Sequence, residues 1–152
     1  MKAITLYQPW ASLIMTGAKT FETRSWATKY RGPLVICSAK GGLSKSELLH
    51  LLSTWQIQSG LAPLVGDPLD LSFRSFPGVK IDHLPFGKAL GVVDLTNCSK
   101  SGDLSRNQIN TDWPYGDFTL GRYAWKLENV RPFDKPIPVI GRQGFFNFEV
   151  PK

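Results

Sequence analysis

The stretch Gln8-Pro9-Trp10-Ala11-Ser12-Leu13-Ile14-Met15-Thr16-Gly17-Ala18-Lys19-Thr20-Phe21-Glu22-Thr23-Arg24-Ser25-Trp26 places a helix, a stop and a charged strand in direct succession. Pro9 suits the first helical position, where a missing N–H is no loss, and Gly17 suits the left-handed residue that ends a helix. A short helix is therefore expected from Pro9 to Thr16, with Trp10, Leu13 and Ile14 at helical spacing on its buried face. The β-branched and aromatic residues of Thr20 to Trp26 favour a strand immediately afterwards. Alternation along that strand puts Glu22 and Arg24 on one face, close enough to pair, and leaves Lys19 at the strand mouth, aimed at a pocket.

Around this stretch the chain reads as one domain spanning residues 1–152. With 42% hydrophobic and 12% aromatic residues, a chain of 152 residues can bury a single core. The formal charge is +6, and the excess is N-terminal: residues 1–50 hold seven Lys/Arg against two acidic residues, whereas residues 51–100 hold four against four. Such asymmetry suits an anionic partner, most often nucleic acid, and is equally found in basic domains without one. Cys37 and Cys98 sit in or beside apolar runs and read as free, buried thiols. No apolar run is long enough to span a bilayer, and Met1 to Gln8 lacks the apolar centre and cleavage site of a signal peptide. The expectation is a soluble, cytoplasmic protein with no membrane association.

Taken in order, Ala3 to Tyr7 reads as a strand, and Lys29-Tyr30-Arg31-Gly32-Pro33 as a basic turn before the apolar strand Leu34 to Ala39. Ser44-Lys45-Ser46-Glu47 fits a capping box opening a helix over Lys45 to Ser59. Residues 60–88, with four Pro and four Gly, read as a long loop that either covers a site or decorates the fold. Ala89 to Thr96 reads as a buried strand whose one carboxylate, Asp94, needs a partner or sits at a pocket floor with a raised pKa. Residues 99–117 read as a second, mobile polar loop. Arg122 to Pro132 alternates as a half-buried strand, and Pro136 to Phe148 reads as a strand pair broken at Gly141-Arg142-Gln143-Gly144. Short strands with two or more flanking helices give a strand-dominated α+β fold, arranged as a small mixed barrel.

The segments Gln8-Pro9-Trp10-Ala11, Gly17-Ala18-Lys19, Glu22-Thr23-Arg24-Ser25-Trp26, Tyr30-Arg31-Gly32, Tyr123-Ala124-Trp125 and Leu127-Glu128-Asn129-Val130 resemble the ASCH domain, a relative of the PUA domain. The likeness runs from about residue 3 to residue 148. It implies a small PUA-like β-barrel with flanking helices and a pocket lined by the Lys and Arg of the signature, in a fold group associated with RNA binding and modified-nucleobase recognition.

Some ASCH proteins remove the acetyl group of N4-acetylcytidine with a Lys, a Thr three residues later and a Glu from a later strand. Here that step from Lys19 lands on Glu22, flanked by Thr20 and Thr23, and the later acid would be Asp94 or Glu128. Other members are described as ribonucleases, for which Lys19 and Arg24 would bind phosphate while Glu22 acts as general base.

Three functions follow as expectations. The first is an RNA- or nucleotide-binding module using Lys19, Arg24, Trp26, Lys29, Tyr30 and Arg31, with aromatics stacking on bases between cations. The second is a small hydrolase of RNA or of a modified nucleoside, with Lys19, Glu22 and Asp94 as catalytic groups. The third is a protein-interaction adaptor. Each residue also has a plainer role: Glu22 and Arg24 as a structural ion pair, Lys19 as solvated surface, and Trp10, Trp26 and Tyr30 as core aromatics. Neither a metal nor a cofactor is expected. His50 and His83 have no second ligand at zinc spacing, and no phosphate-binding glycine loop, dinucleotide fingerprint or nucleophile elbow is present.

Overall fold

The computed structural model describes residues 1–65 and 78–152. Its elements in chain order are β1 (Lys2–Leu6), α1 (Trp10–Met15), β2 (Phe21–Arg24), β3 (Gly32–Ser38), α2 (Lys45–Leu52), α3 (Trp55–Leu61), β4 (Lys88–Lys100), α4 (Arg106–Asp112), β5 (Tyr123–Pro138) and β6 (Phe146–Asn147). The strands form one mixed sheet in the order β2-β5-β4-β3-β1-β6. Only β1 and β3 run parallel, and the remaining neighbours are antiparallel.

The opening stretch folds as its residues dictate. Pro9 offers no side-chain cap, so the buried Gln8 takes that role: its Oε1 accepts from the Ser12 N–H at 3.0 Å, while its Nε2 donates to Ser12 Oγ and to the Pro85 carbonyl. Gly17, at φ +85°, ends the helix in the left-handed conformation. Helix α1 is buried on two sides. Ala11 and Ile14 pack on the sheet with Leu34, Val93, Leu95 and Trp125, and Leu13 packs on Leu52, Ile57 and Leu61 of α2 and α3. Each such fully buried Leu or Ile contributes about 1.5–3 kcal/mol through removal of apolar surface from water. A second apolar cluster, including Ala3, Val35, Cys37 and Val92, lies on the other sheet face.

Strand dominance and flanking helices are as expected, but among the described residues the sheet does not close through a hydrogen-bonded ladder. Its two ends meet instead through side chains. Trp26, just beyond β2, packs edge-on against Phe145, just before β6, at 5.5 Å, and against Trp125 at 4.6 Å. Arg24 Nη2 donates across the same gap to the Thr5 carbonyl of β1 at 3.2 Å.

Several element boundaries differ from the sequence reading. The helix expected over Lys45 to Ser59 breaks at Ser53 and Thr54, where Ser53 Oγ donates to the His50 carbonyl and Thr54 Oγ1 to the Leu51 carbonyl. These hydroxyls occupy carbonyls at the helix end, and Thr54 turns extended. Gly60 then lies inside α3, because a Cβ there would come within 2.6 Å of Leu13. Of the loop expected over 60–88, residues 66–77 lie outside the described residues; the remainder includes short 3-10 turns at Ala62–Leu64 and Ile81–His83. The segment read as a mobile loop over 99–117 contains α4, opened by a Ser105–Gln108 capping box. Strand β5 is continuous through Pro132 and Pro136, which the sequence reading had placed in separate strands. It tolerates them because β2 pairs only with Tyr123–Lys126, leaving the rest of that edge without a ladder.

The edge of β2 is sealed by side chains. Asp112, fully buried, accepts from Thr20 N and Thr20 Oγ1 at 2.7 Å through Oδ1, and from Phe21 N at 3.0 Å through Oδ2. Arg122 Nη2 donates to the Thr23 carbonyl at 3.1 Å. These contacts satisfy the polar groups that an exposed edge would offer to another strand.

Replacing Asp112 with Ala strands those donors in a dry environment, and urea unfolding should register a loss of about 3 kcal/mol or more. An unchanged midpoint would show that the edge is held by other means. The thiols give a second check. Burial pushes Cys37 up to about 12, whereas Cys98 is half-buried. Because the raised pKa favours the protonated thiol in the folded state, its contribution to stability is full below the ordinary cysteine range and is lost as pH rises toward 12. At pH near 8 a disulfide reagent should therefore modify Cys98 in the native protein and Cys37 only after denaturant is added.

Candidate nucleotide-binding cleft

The end of β1, the start of α1, β2 with its following residues, and the loop between β5 and β6 enclose a cleft of about 870 Å³. Strand β2 supplies Glu22, Thr23 and Arg24, and Trp26 follows from the next turn. As alternation requires, Glu22 and Arg24 share a face, with Arg24 Nη2 at 4.0 Å from Glu22 Oε2. That separation is an ion pair without a hydrogen bond. Glu22 Oε1 accepts from the Thr23 N–H at 2.9 Å, and among the described residues Oε2 accepts no hydrogen bond.

Cations outnumber acids around this space. Arg122, immediately before β5, faces the cleft beside Arg24, because Tyr123 is the register partner of Arg24. Lys40 and Arg142 line it from exposed positions. Four lining cations, against Glu22 in the wall and Asp117 paired with Arg122 beside it, leave a net positive field in a partly enclosed space. Aromatic surface comes from Tyr7, Trp10 and Trp26, the last with 36% of its surface exposed. Thr5 Oγ1 and Arg122 Nε are buried and have no hydrogen-bond partner among the described residues. Arg122 Nε does lie 3.5 Å from Asp117 Oδ2, so it is charge-paired but not hydrogen-bonded. Gly141 packs directly on Thr5, where a Cβ would come within 2.8 Å of the hydroxyl, and this close approach draws the Arg142 loop onto the cleft.

The residues singled out from sequence divide into three groups. Glu22, Arg24, Trp26 and Trp10 do line the cleft. Lys19 lies behind it, only 2% exposed, with Nζ donating to the Tyr115 carbonyl at 2.5 Å. Burial pulls its ammonium below the usual lysine range, while the nearby carboxylates of Glu22 and Asp112 oppose that fall. Rather than pointing into the open space, Lys19 ties the entry of β2 to the Trp113–Tyr115 turn.

The basic turn borders the cleft without lining it. Tyr30 packs edge-on against Phe145 at 5.7 Å, and its hydroxyl donates to the Pro33 carbonyl. Arg31 Nη1 donates to the carbonyls of Thr28 and Tyr30, and Lys29 is exposed. Lys2 Nζ sits over the Tyr30 and Phe145 rings at 5.4 and 5.5 Å.

Asp94 stands apart. The sequence reading placed it in a buried strand, but it is only half-buried, where its carboxylate accepts from Arg131 Nη2 and Asn129 Nδ2 at 2.9 Å each. Arg131 and then Asn129 hold its carboxyl below the usual range, opposite to the raised pKa expected of a pocket-floor acid. Glu128 is exposed and pairs with Lys126 at 3.5 Å.

Sequence reasoning missed Arg122, Arg142, Lys40 and Thr5. Arg142 carried a signal, a cation bracketed by glycines at the break between two strands. Arg122 carried none, since its place depends on the pairing of β2 with β5. Among the described residues, no group of three or more His, Cys, Asp and Glu could hold a metal ion. No helix among them is long and apolar enough to cross a membrane.

Comparison with known proteins places this chain in a family. Activating signal cointegrator 1 of Homo sapiens is 32% identical over 111 residues, covering 73% of this chain, and the Mus musculus protein gives the same figures. The chain spans only 16% of the length of these relatives. Among solved structures, the ASCH protein of Zymomonas mobilis superposes with a TM-score of 0.46 at 14% identity, over 90% of this chain and 72% of that one. A point mutant of the same protein gives 0.44 at 14% identity, over 90% and 74%. The ASCH domain matches residues 4–137, a span running from β1 through all but the last residue of β5 and so including Glu22 and Arg24 of β2 and Arg122 ahead of β5; the chain belongs to the ASCH domain family.

Proposed function

We propose that the protein binds RNA or a nucleotide in this cleft, with guanidinium groups on phosphate and aromatic side chains against a base. The observation that supports it best is the composition of the cleft: four cations and three aromatics around one carboxylate, with Thr5 Oγ1 and Arg122 Nε buried and lacking hydrogen bonds among the described residues. Arg24 and Arg122 are partly buried, at 26% and 30% side-chain exposure, so anion contacts there are less screened than on open surface. Lys19 acts from behind, holding β2 in register. Lys29, Tyr30 and Arg31 would extend contact past Trp26 and Phe145 for a ligand longer than one nucleotide.

A second reading is hydrolysis, either of RNA or of a modified nucleoside such as N4-acetylcytidine. It draws on the Glu22 carboxylate in the cleft and on its electrostatic coupling to the Lys19 ammonium. Placing Asp94 in that chemistry would need a path from its Arg131 ion pair to the cleft.

Fluorescence anisotropy with labelled single-stranded RNA at several salt concentrations tests the binding reading. Arg24→Ala and Arg122→Ala should each weaken binding about tenfold and lower the slope of log K against log salt by about 0.7, the value for one lost single-strand phosphate contact. Lys135→Ala, on the exposed part of β5, should change neither. Binding that ignores salt, or arginine variants that bind like wild type, would remove the cleft from consideration. Product from RNA or N4-acetylcytidine that disappears in Glu22→Gln would establish the hydrolase reading instead.

A further inference from the structure

A carboxylate is an unexpected wall for a phosphate site. Glu22 is 9% exposed and lines the cleft, and its Oε2 takes no hydrogen bond among the described residues, standing off from Arg24 Nη2 at 4.0 Å. An ionised carboxylate only accepts hydrogen bonds and repels phosphate oxygens. A ligand that fills this corner must therefore present an anion and a hydrogen-bond donor close together, since Glu22 and Arg24 are two residues apart on one strand face. In a nucleotide the donors of the base edge lie at the far end of the molecule from the phosphate. A ribose 2′-hydroxyl sits on the ring carbon adjacent to the one that carries the 3′-phosphate. We propose that Glu22 accepts a hydrogen bond from the 2′-hydroxyl while Arg24 holds the neighbouring 3′-phosphate, so that this corner of the cleft selects ribose over deoxyribose. The inference rests on the nucleic-acid reading above and adds to it the sugar.

The pattern of hydrogen bonds at Glu22 makes the claim sharp. Oε1 takes the Thr23 N–H, which fixes the carboxylate plane and leaves Oε2 for the ligand. In Glu22→Gln the amide carbonyl keeps the Thr23 bond, and the NH₂ group takes the place of Oε2. An acceptor facing the ligand becomes a donor, with little change in volume. The variant loses the charged acceptor for the hydroxyl proton and can at most donate to the hydroxyl oxygen, a weaker neutral bond that a 2′-O-methyl oxygen accepts as well, and removal of the negative charge should favour phosphate.

The test compares single-stranded oligonucleotides of one base sequence with ribose, 2′-deoxyribose and 2′-O-methylribose backbones. Binding is measured by anisotropy for the full chain and for Glu22→Gln, whose folding is checked by circular dichroism and urea unfolding. The wild-type protein should bind the ribose strand about tenfold more tightly than either of the others, the loss expected for one charge-assisted hydrogen bond. Glu22→Gln should lose the preference for ribose over 2′-O-methylribose, since the oxygen of either accepts from the amide, and should bind the deoxyribose strand more tightly than wild type does. Equal wild-type affinity for ribose and deoxyribose strands overturns the proposal, as does a preference for ribose over 2′-O-methylribose that persists undiminished in Glu22→Gln. A 2′-O-methyl strand that binds like ribose also overturns it, by showing that sugar shape and not a donor is read. Failure of the cleft reading has a different signature: no strand binds, or the Arg24→Ala variant binds all three as wild type does.

Discussion

The buried carboxylate of Asp112 is the constraint on which the cleft depends. It arrives from the end of α4, far along the chain, and takes hydrogen bonds from Thr20 and Phe21 exactly where β2 begins. Strand β2 is four residues long and, among the described residues, pairs on one side only, with β5. Without an acceptor on its outer edge, the N–H groups at its start would face a dry interior unpaired. Lys19, one residue upstream, adds a second tie to the same region through the Tyr115 carbonyl. Together these contacts fix the strand that carries Glu22 and Arg24. The positions of the two charged side chains in the cleft thus follow from a segment that contributes neither of them.

How much of this was legible in the sequence depended on range. The helix after Pro9, the stop at Gly17 and the alternation of Glu22 and Arg24 are local properties, set by ring geometry, left-handed backbone and the period of a strand, and all three are present. Long-range facts were not accessible in the same way. Nothing near Asp112 announces that its partner is Thr20, and nothing near Arg122 announces that Arg24 lies beside it; both depend on which strands pair. Lys19 shows how a local argument misdirects. Its position after Gly17-Ala18 does place it at the strand mouth, but the Trp113–Tyr115 turn folds over that mouth and buries it.

Asp94 misdirected for another reason. Its apolar neighbours on β4 alternate between the two sheet faces, with Val93 and Leu95 in the cluster under α1 and Val92 in the opposite one. A strand covered on both faces looks uniformly buried in sequence. At Asp94 the cover on its own face ends, and Arg131 and Asn129 of β5 occupy the space as polar partners. The break in the helix after Leu52 has a similar origin, since Ser53 and Thr54 are tolerated inside helices and end this one only because their hydroxyls return to its carbonyls.

The seam between Trp26 and Phe145 holds the ends of the sheet by different means from those that hold its strands together. Along the strands, backbone hydrogen bonds fix positions to a fraction of an ångström, and changing the spacing means breaking a ladder. Across the seam, Trp26 contacts Phe145 only by ring edges, and the crossing bond from Arg24 to Thr5 is made by one long side chain. The spacing of the Glu22–Arg24 corner is thus set within a single strand, whereas the width of the gap between β2 and β6 is set by side-chain contacts, so a substitution at Trp26 or Phe145 bears on the width and not on the corner.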